Sequence, residues 1–332
     1  MRFWRGLLCV PLCLLLGTGT MWAAGALYFD LPIAWLRAPL ALIYGLAMFT
    51  ALFFVKNRWR ATGVVAAGFA AVLTWWLAIK PSNEGNWQAD VAQLAWGEVN
   101  GDEVMLHNVR NCDYRTETDY TARWETRTVR LSQITGVDLA INYWGSPWMA
   151  HPIASFQFSD APPICFSIET RKQLGQTYSA IGGVYRQFQL IYIVADERDM
   201  IRLRTNYRHG EDVYLYRTTM TPAQARDRFH EYLRSLNTIR DRPRWYNAIT
   251  TNCTTSIRDQ HPIADRLPWD WRLLLNGKGD ELMFERHTIV TGGLPFPELK
   301  ARSLINSRAK AADAMSNFSE LIRVGLPTLE TR

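Results

Sequence analysis

Three side-chain types in this sequence can act together on a carbonyl carbon: a thiol, an imidazole and a carboxylate. Cys253 lies in Tyr246-Asn247-Ala248-Ile249-Thr250-Thr251-Asn252-Cys253-Thr254-Thr255-Ser256-Ile257. If Thr251 or Asn252 caps a helix, Cys253 falls in its first turn. There the unpaired N–H groups and the helix dipole favour a nucleophilic sulfur and can hold an oxyanion. The plain alternative is a small buried residue at a helix start. His151 lies in Trp144-Gly145-Ser146-Pro147-Trp148-Met149-Ala150-His151-Pro152, an aromatic loop running into a strand, where a histidine can act as a base or simply pack. His209, His230, His261 and His287 sit in polar or turn-like sequence and read as surface residues. Glu169 is the third group. A hairpin of 153–158 and 164–169, turning near 160–162, sets Glu169 almost opposite Ile153 or His151, where it can orient an imidazole. The alternative is a strand-end ion pair with Arg171.

Tyr246 and Asn252, beside the cysteine, are candidate substrate contacts. So are Arg202 and Arg204, which close the dense charge run 196–206 and can meet a phosphate or carboxylate; such a run otherwise reads as a solvated face with local ion pairs. Cys112 and Cys165 are the other cysteines after residue 80, and any disulfide would join those two. The sequence has no Cys-x-x-Cys, no His-Glu-x-x-His, no phosphate loop and no glycine-rich fingerprint after a strand, so no motif calls for a metal or a cofactor. A net charge of +6, shared with an apolar N-terminal region, gives no nucleic-acid footprint.

The elements that must position these residues are mostly β at first. Stretches 103–109, 123–131, 137–143, 153–158, 164–169 and 212–216 read as strands, the charged second one at an edge, and the continuous apolar run 188–194 as a central strand. Helices follow. Thr221-Pro222-Ala223-Gln224 forms a capping box with proline at the first helical position, and Phe229, Tyr232, Leu233, Leu236 and Ile239 then share one face. Further helices are expected near Asn252, over 269–276 and within 300–325. Residues 81–94 read as a linker or a short helix. The fold class is α+β.

Residues 6–79 carry only Asp30, Arg37, Lys56, Arg58 and Arg60 as charges, in a chain that is 20% charged overall. Three apolar runs, at 6–28, 35–55 and 61–79, have the roughly 20-residue length a membrane-crossing helix needs. The first reads as an uncleaved anchor rather than a signal peptide. Arg2 and Arg5 before the first run, and Lys56, Arg58 and Arg60 between the second and third, place both clusters in the cytoplasm. Residues 81–332 then form a domain on the outer side of the membrane, periplasmic, or extracytoplasmic in a cell with one membrane, with Trp75, Trp76 and Lys80 at the exit.

Four segments, Ala150–Phe158, Ser167–Arg171, Ala195–Asp199 and Tyr246–Thr255, resemble in order the Lnb N-terminal periplasmic domain family, with a family-like core at about 105–260. The resemblance implies a circularly permuted papain-like domain of the NlpC type, with an antiparallel sheet and packed helices. In such a fold the histidine strand precedes the cysteine helix, as His151 precedes Cys253. Asn252-Cys253 is also similar to the Asn-Cys of lecithin retinol acyltransferase. The family name implies transfer of an acyl chain to a lipoprotein's N-terminal cysteine. Lipoprotein acyltransferases of that type carry membrane helices after the catalytic domain, whereas the three apolar runs here precede it. The implied reading is a thiol acyltransferase or hydrolase acting on a membrane lipid or lipoprotein acyl group. A cell-wall peptidase or amidase, and a non-enzymatic envelope scaffold, are the alternatives.

The orientation has a direct test. A reporter enzyme active only outside the cytoplasm should work when fused after Arg332 and be silent when fused at Asn57; a silent C-terminal fusion overturns the topology.

Overall fold

The computed structural model describes residues 2–260, 268–273 and 275–328. Contacts divide the chain into two compact units: Met1–Ser82 with Thr177–Gln189 and Trp245–Ala248, and Asn83–Gln176 with Leu190–Arg244 and Ile249–Arg332.

The first unit is built on helices α1 (Arg2–Asp30), α2 (Ala34–Phe54) and α3 (Arg58–Ala78). Among the described residues these three are long and apolar enough to cross a membrane. Asn57 caps α3, its Oδ1 accepting the Trp59 and Arg60 N–H groups at 3.1 and 3.2 Å. Leu14, Leu15, Trp35, Phe53 and Phe54 stay exposed, while Ala23, Ala26, Ala61 and Val65 are buried between the helices. Small residues at the contacts are what close approach of membrane helices requires. The segment 177–189 belongs to this unit through Tyr185, whose ring stacks on Phe29 at 4.9 Å. Asp30, ending α1, accepts hydrogen bonds from the Arg186 N–H (3.1 Å), Gln187 Nε2 (2.8 Å) and Trp76 Nε1 (2.6 Å). The Arg186 guanidinium lies 4.1 Å from the centre of the Trp76 ring.

The second unit contains the strands β1 (Trp96–Asn100), β2 (Glu103–Arg110), β3 (Asp113–Tyr114), β4 (Tyr120–Thr121), β5 (Trp124–Arg130), β6 (Ile134–Trp144), β7 (Ala150–Phe158), β8 (Ile164–Arg171), β9 (Gln189–Asp196) and β10 (Glu211–Arg217). Eight of them form one sheet in the order β1-β2-β9-β8-β7-β6-β10, with β5 also paired to β2. The pairings of β1 and β5 with β2, of β6 with β7 and β10, and of β7 with β8 are antiparallel, and β2 meets β9 in a parallel contact at Arg110 and Ala195. The helices are α4 (Glu197–Arg202), α5 (Pro222–Asp241), α6 (Cys253–Gln260), α7 (Gly279–Glu285), α8 (Phe296–Ser303), α9 (Asn306–Ala311) and α10 (Phe318–Leu321). Thr221 and Gln224 form the expected capping box on α5.

Strand alternation sorts the core into two layers. Phe156, Phe166 and Tyr192 pack edge-on or tilted against Phe229 and Tyr232 of α5, with ring centroids 5.0–6.3 Å apart. Ile153, Cys165, Ile191 and Ile193 join the cluster that contains Met200, Ile305, Phe318 and Ile322. With a helical layer against each, β7, β8 and β9 are apolar on both sides, which is why β9 reads as a continuous apolar run.

Two expectations are corrected, and the state of two cysteines is settled. Residues 269–276 are not a helix; the described part holds only short 3₁₀ turns at Trp271–Leu273 and Asn276–Lys278. The run 196–206 is not a solvated face. Glu197 is 0% exposed and bonded to Arg323, Asp199 is bonded to Arg110 at 2.6 Å, and Asp196 pairs with Arg127 at 2.9 Å. Cys112 and Cys165 are separate buried thiols, not a disulfide.

Gly25 of α1 supplies a test of the helical unit, because a Cβ built on it would lie 1.9 Å from Tyr185 Oη, whereas Gly17 has nothing within 4 Å. Glycine-to-alanine in a helix interior is normally worth roughly 1 kcal/mol of added stability. Gly17→Ala should follow that rule and Gly25→Ala should reverse it, lowering the melting temperature of the detergent-solubilised protein. A rise for Gly25→Ala would mean that Tyr185 does not seat there.

Candidate active site

His151 stands at the second position of β7, just after the loop that Gly145 turns with a φ of +65°. The β7–β8 register pairs Ile153 with Ser167, so two positions on, His151 is opposite Glu169. Ser167 and Glu169 point to the same face of β8 by alternation. The side chains meet accordingly. His151 Nε2 is 2.6 Å from Ser167 Oγ and 3.3 Å from Glu169 Oε1, and the Ser167 hydroxyl donates to Glu169 Oε1 at 2.7 Å. One hydroxyl carries one proton. If it goes to the carboxylate, Ser167 must accept from His151, so Nε2 holds a ring proton, and in the neutral ring Nδ1 is the free base.

Arg204 is 2% exposed, and its Nη2 donates to Glu169 Oε1 at 2.6 Å while Nη1 donates to the Met200 carbonyl at 2.8 Å. It comes from the π turn 203–207 that follows α4. Arg171, the alternative partner of Glu169, instead donates to the carbonyls of Val91 and Ala92 at 3.0 and 2.7 Å.

Cys253 is the first residue of α6, which packs against β7 and β8. Asn252 is the cap: its Oδ1 accepts the Thr255 N–H at 2.9 Å, and Thr255 Oγ1 accepts the Asn252 N–H at 2.9 Å. The first N–H groups of such a helix have no intrahelical acceptor. The thiol is free and 7% exposed. Burial disfavours a charged His151 ring, but the Glu169 carboxylate, with hydrogen bonds to Cys253 and Glu169, carries its pKa up to about 9. Burial likewise opposes the charged form of Glu169, and the His151 and Arg204 charges outweigh it, holding the carboxyl well below its usual range. The structure therefore brings Cys253, His151 and Glu169 into one site.

The remaining sequence candidates go elsewhere. Arg204 faces inward onto Glu169 and offers no charge to a substrate. Arg202 is tied to Asp313 at 2.7 Å and to Tyr207 Oη at 2.6 Å. Asn252 is engaged as the helix cap. Tyr246 is buried in the helical unit, its N–H donating to the Phe188 carbonyl at 3.0 Å. His209 and His287 lie at turns, His230 on α5, and His261 outside the described residues. Among the described residues no cluster of His, Cys, Asp or Glu could hold a metal ion.

Sequence reasoning missed Ser167 and Asn276. The Ser167-x-Glu169 spacing on a strand was a usable signal for the first. Asn276, whose Nδ2 is 3.6 Å from Cys253 Sγ, gives none, because it stands in a loop far along the chain.

The histidine's raised pKa has a signed consequence. The stability that His151 contributes is fully present below its ordinary value of 6.5 and is lost as pH rises through about 9. The ring should titrate near 9 by NMR, with the resonance assigned by its loss in His151→Gln, and Glu169→Gln should bring that midpoint down toward 6.5. An unchanged midpoint in Glu169→Gln would remove the carboxylate as the cause.

No curated protein and no solved structure matches this chain. Residues 120–277, a stretch containing His151, Ser167, Glu169, Cys253 and Asn276, match the model of the Lnb N-terminal periplasmic domain family.

Proposed function

We propose that this chain is a membrane-anchored thiol acyltransferase or hydrolase working at the outer face of a bacterial inner membrane. One observation carries the reading: a cysteine that opens a helix lies near enough to an imidazole to help raise its pKa, and that ring's Nε2 is held by Ser167 and Glu169. That is the nucleophile–base–orienter arrangement. In its neutral form His151 takes the thiol proton at Nδ1, the nitrogen that Ser167 leaves free, as Cys253 attacks an ester or amide carbonyl, and returns it to the leaving group. Ser167, Glu169 and Arg204 fix the ring. The order of histidine strand before cysteine helix fits a permuted papain-like domain.

The substrate side rests on the rim and the anchor. Trp148, Met149, Trp269, Trp271 and Leu275 are exposed, with the Trp148 and Trp271 rings 6.4 Å apart. The first two precede His151 and the others lie in the segment that carries Asn276, so an apolar surface borders the site. It suits the acyl chain of a membrane lipid or lipoprotein better than the polar groove a cell-wall peptide needs. Three apolar helices in the same chain suit a membrane-borne substrate, and the basic residues at 2, 5, 56, 58 and 60 favour a domain on the outer side.

Mass spectrometry of the full chain reconstituted with diacyl phospholipid should find an acyl thioester on Cys253. Cys253→Ala should carry none, and His151→Ala should form it about 10²–10⁴-fold more slowly. An acyl group that persists in Cys253→Ala, or an absent adduct with donor lipids present, would end this reading.

A further inference from the structure

We propose that Asn276 is a catalytic residue, its side-chain amide donating to the oxyanion formed when Cys253 attacks an acyl carbonyl. The inference rests on the nucleophilic role of Cys253 proposed above and adds the group that stabilises the transition state.

The direction of the amide follows from its neighbours. The Ala150 N–H can only donate, and it meets Asn276 Oδ1 at 2.9 Å. The Nδ2 end must therefore point away from β7, and it lies 3.6 Å from Cys253 Sγ and 3.2 Å from Thr254 Oγ1. It carries two hydrogens, one for Thr254 and one turned toward the sulfur. A donor beside the sulfur is within reach of an oxygen that develops on the carbon the sulfur attacks.

The amide is also held in place before reaction. The Gly277 N–H donates to the Trp148 carbonyl at 3.0 Å, and Tyr143 Oη donates to the Gly277 carbonyl at 2.9 Å. A Cβ on Gly277 would lie 2.4 Å from the Pro147 carbonyl oxygen, so only glycine lets these two backbone segments come so close. A donor fixed in this way needs no reorganisation when charge appears, the condition under which such donors contribute most. In the step itself the Sγ–C bond forms, the carbonyl π pair moves onto oxygen and the thiol proton passes to His151. The oxyanion is then held by Asn276 Nδ2 and the first N–H groups of α6. Its collapse breaks the bond to the leaving group.

Two rates measured on the full-length protein in detergent separate this role from mere positioning of the sulfur. One is acylation of Cys253 by p-nitrophenyl butyrate, which passes through an oxyanion and releases p-nitrophenolate. The other is alkylation of the same thiol by iodoacetamide, which forms no oxyanion. In Asn276→Ala the ratio of acylation to alkylation rate should fall about 10²–10³-fold. Asn276→Asp, which keeps the acceptor for the Ala150 N–H, should lower that ratio as well and serves if the alanine variant fails to fold. Equal loss of both rates, or an unchanged ratio, overturns the role of Asn276 while leaving Cys253 as nucleophile. A wild-type Cys253 that alkylates but is never acylated overturns the nucleophile reading, and this inference with it.

Discussion

The Glu169 carboxylate is the charge around which the site is organised. One of its oxygens receives Ser167 and Arg204 and stands 3.3 Å from the imidazole. A carboxylate partly withdrawn from water is costly unless its lone pairs and charge are met. Here a hydroxyl, a guanidinium and the His151 ring meet them. Arg204 in turn depends on α4, whose start is fixed by the Asp196 side chain accepting the Arg198 N–H at 2.8 Å. Asp199 of that helix takes Arg110 and the Cys112 N–H, at 2.6 and 2.7 Å, and Glu197 takes Arg323 and Ser155. The direction of one histidine ring is thus carried back, charge by charge, to β2, β5, β7 and α10's neighbourhood.

The sulfur is positioned by a different kind of interaction. Cys253 owes its place to a local capping box, complete within Asn252–Thr255, and to the packing of α6 on β7 and β8. Asn276 then joins the two halves, with its oxygen on the backbone beside His151 and its nitrogen beside the cysteine. A loop residue can hold this position because Gly277 presses the loop backbone against 147–149.

What could be read from the sequence divides along the same line. The α5 cap, the 153–169 hairpin, the central β9 and the helix opening at Cys253 all follow from patterns within a few residues. Period-two alternation narrowed the partner of Glu169 to Ile153 or His151, and the register that pairs Ile153 with Ser167 decides for His151. The charge run 196–206 was misread because its compensating partners, Arg110, Arg127 and Arg323, come from distant parts of the chain, and no local pattern separates a buried network from a solvated face. Arg204 was assigned to a substrate for the same reason: its partner is another side chain of the site. Residues 269–276 have helix-compatible composition, but the contacts of the loop with 147–150 hold it in short turns. The sequence left the state of Cys112 and Cys165 open; Cys165 is absorbed into the apolar core and Cys112 into a separate cluster with Tyr114 and Leu203.

The buried charges also explain why this part of the domain is not simply apolar. Replacing a buried ion cluster by well-packed hydrophobic side chains is often neutral or favourable for stability, so stability alone gives no reason for Glu169 and Arg204 beneath His151. Orientation does. An apolar pocket would hold the ring in place but leave its flip state and proton position open. A serine that must donate to a carboxylate leaves the neutral imidazole one tautomer, with Nε2–H toward Ser167 and Nδ1 unprotonated. The arginine keeps the carboxylate ionised, the carboxylate sets the serine proton, and the serine sets the tautomer. Removing the arginine would leave the distances within the hairpin nearly unchanged while weakening the constraint that makes the histidine a base on its cysteine side.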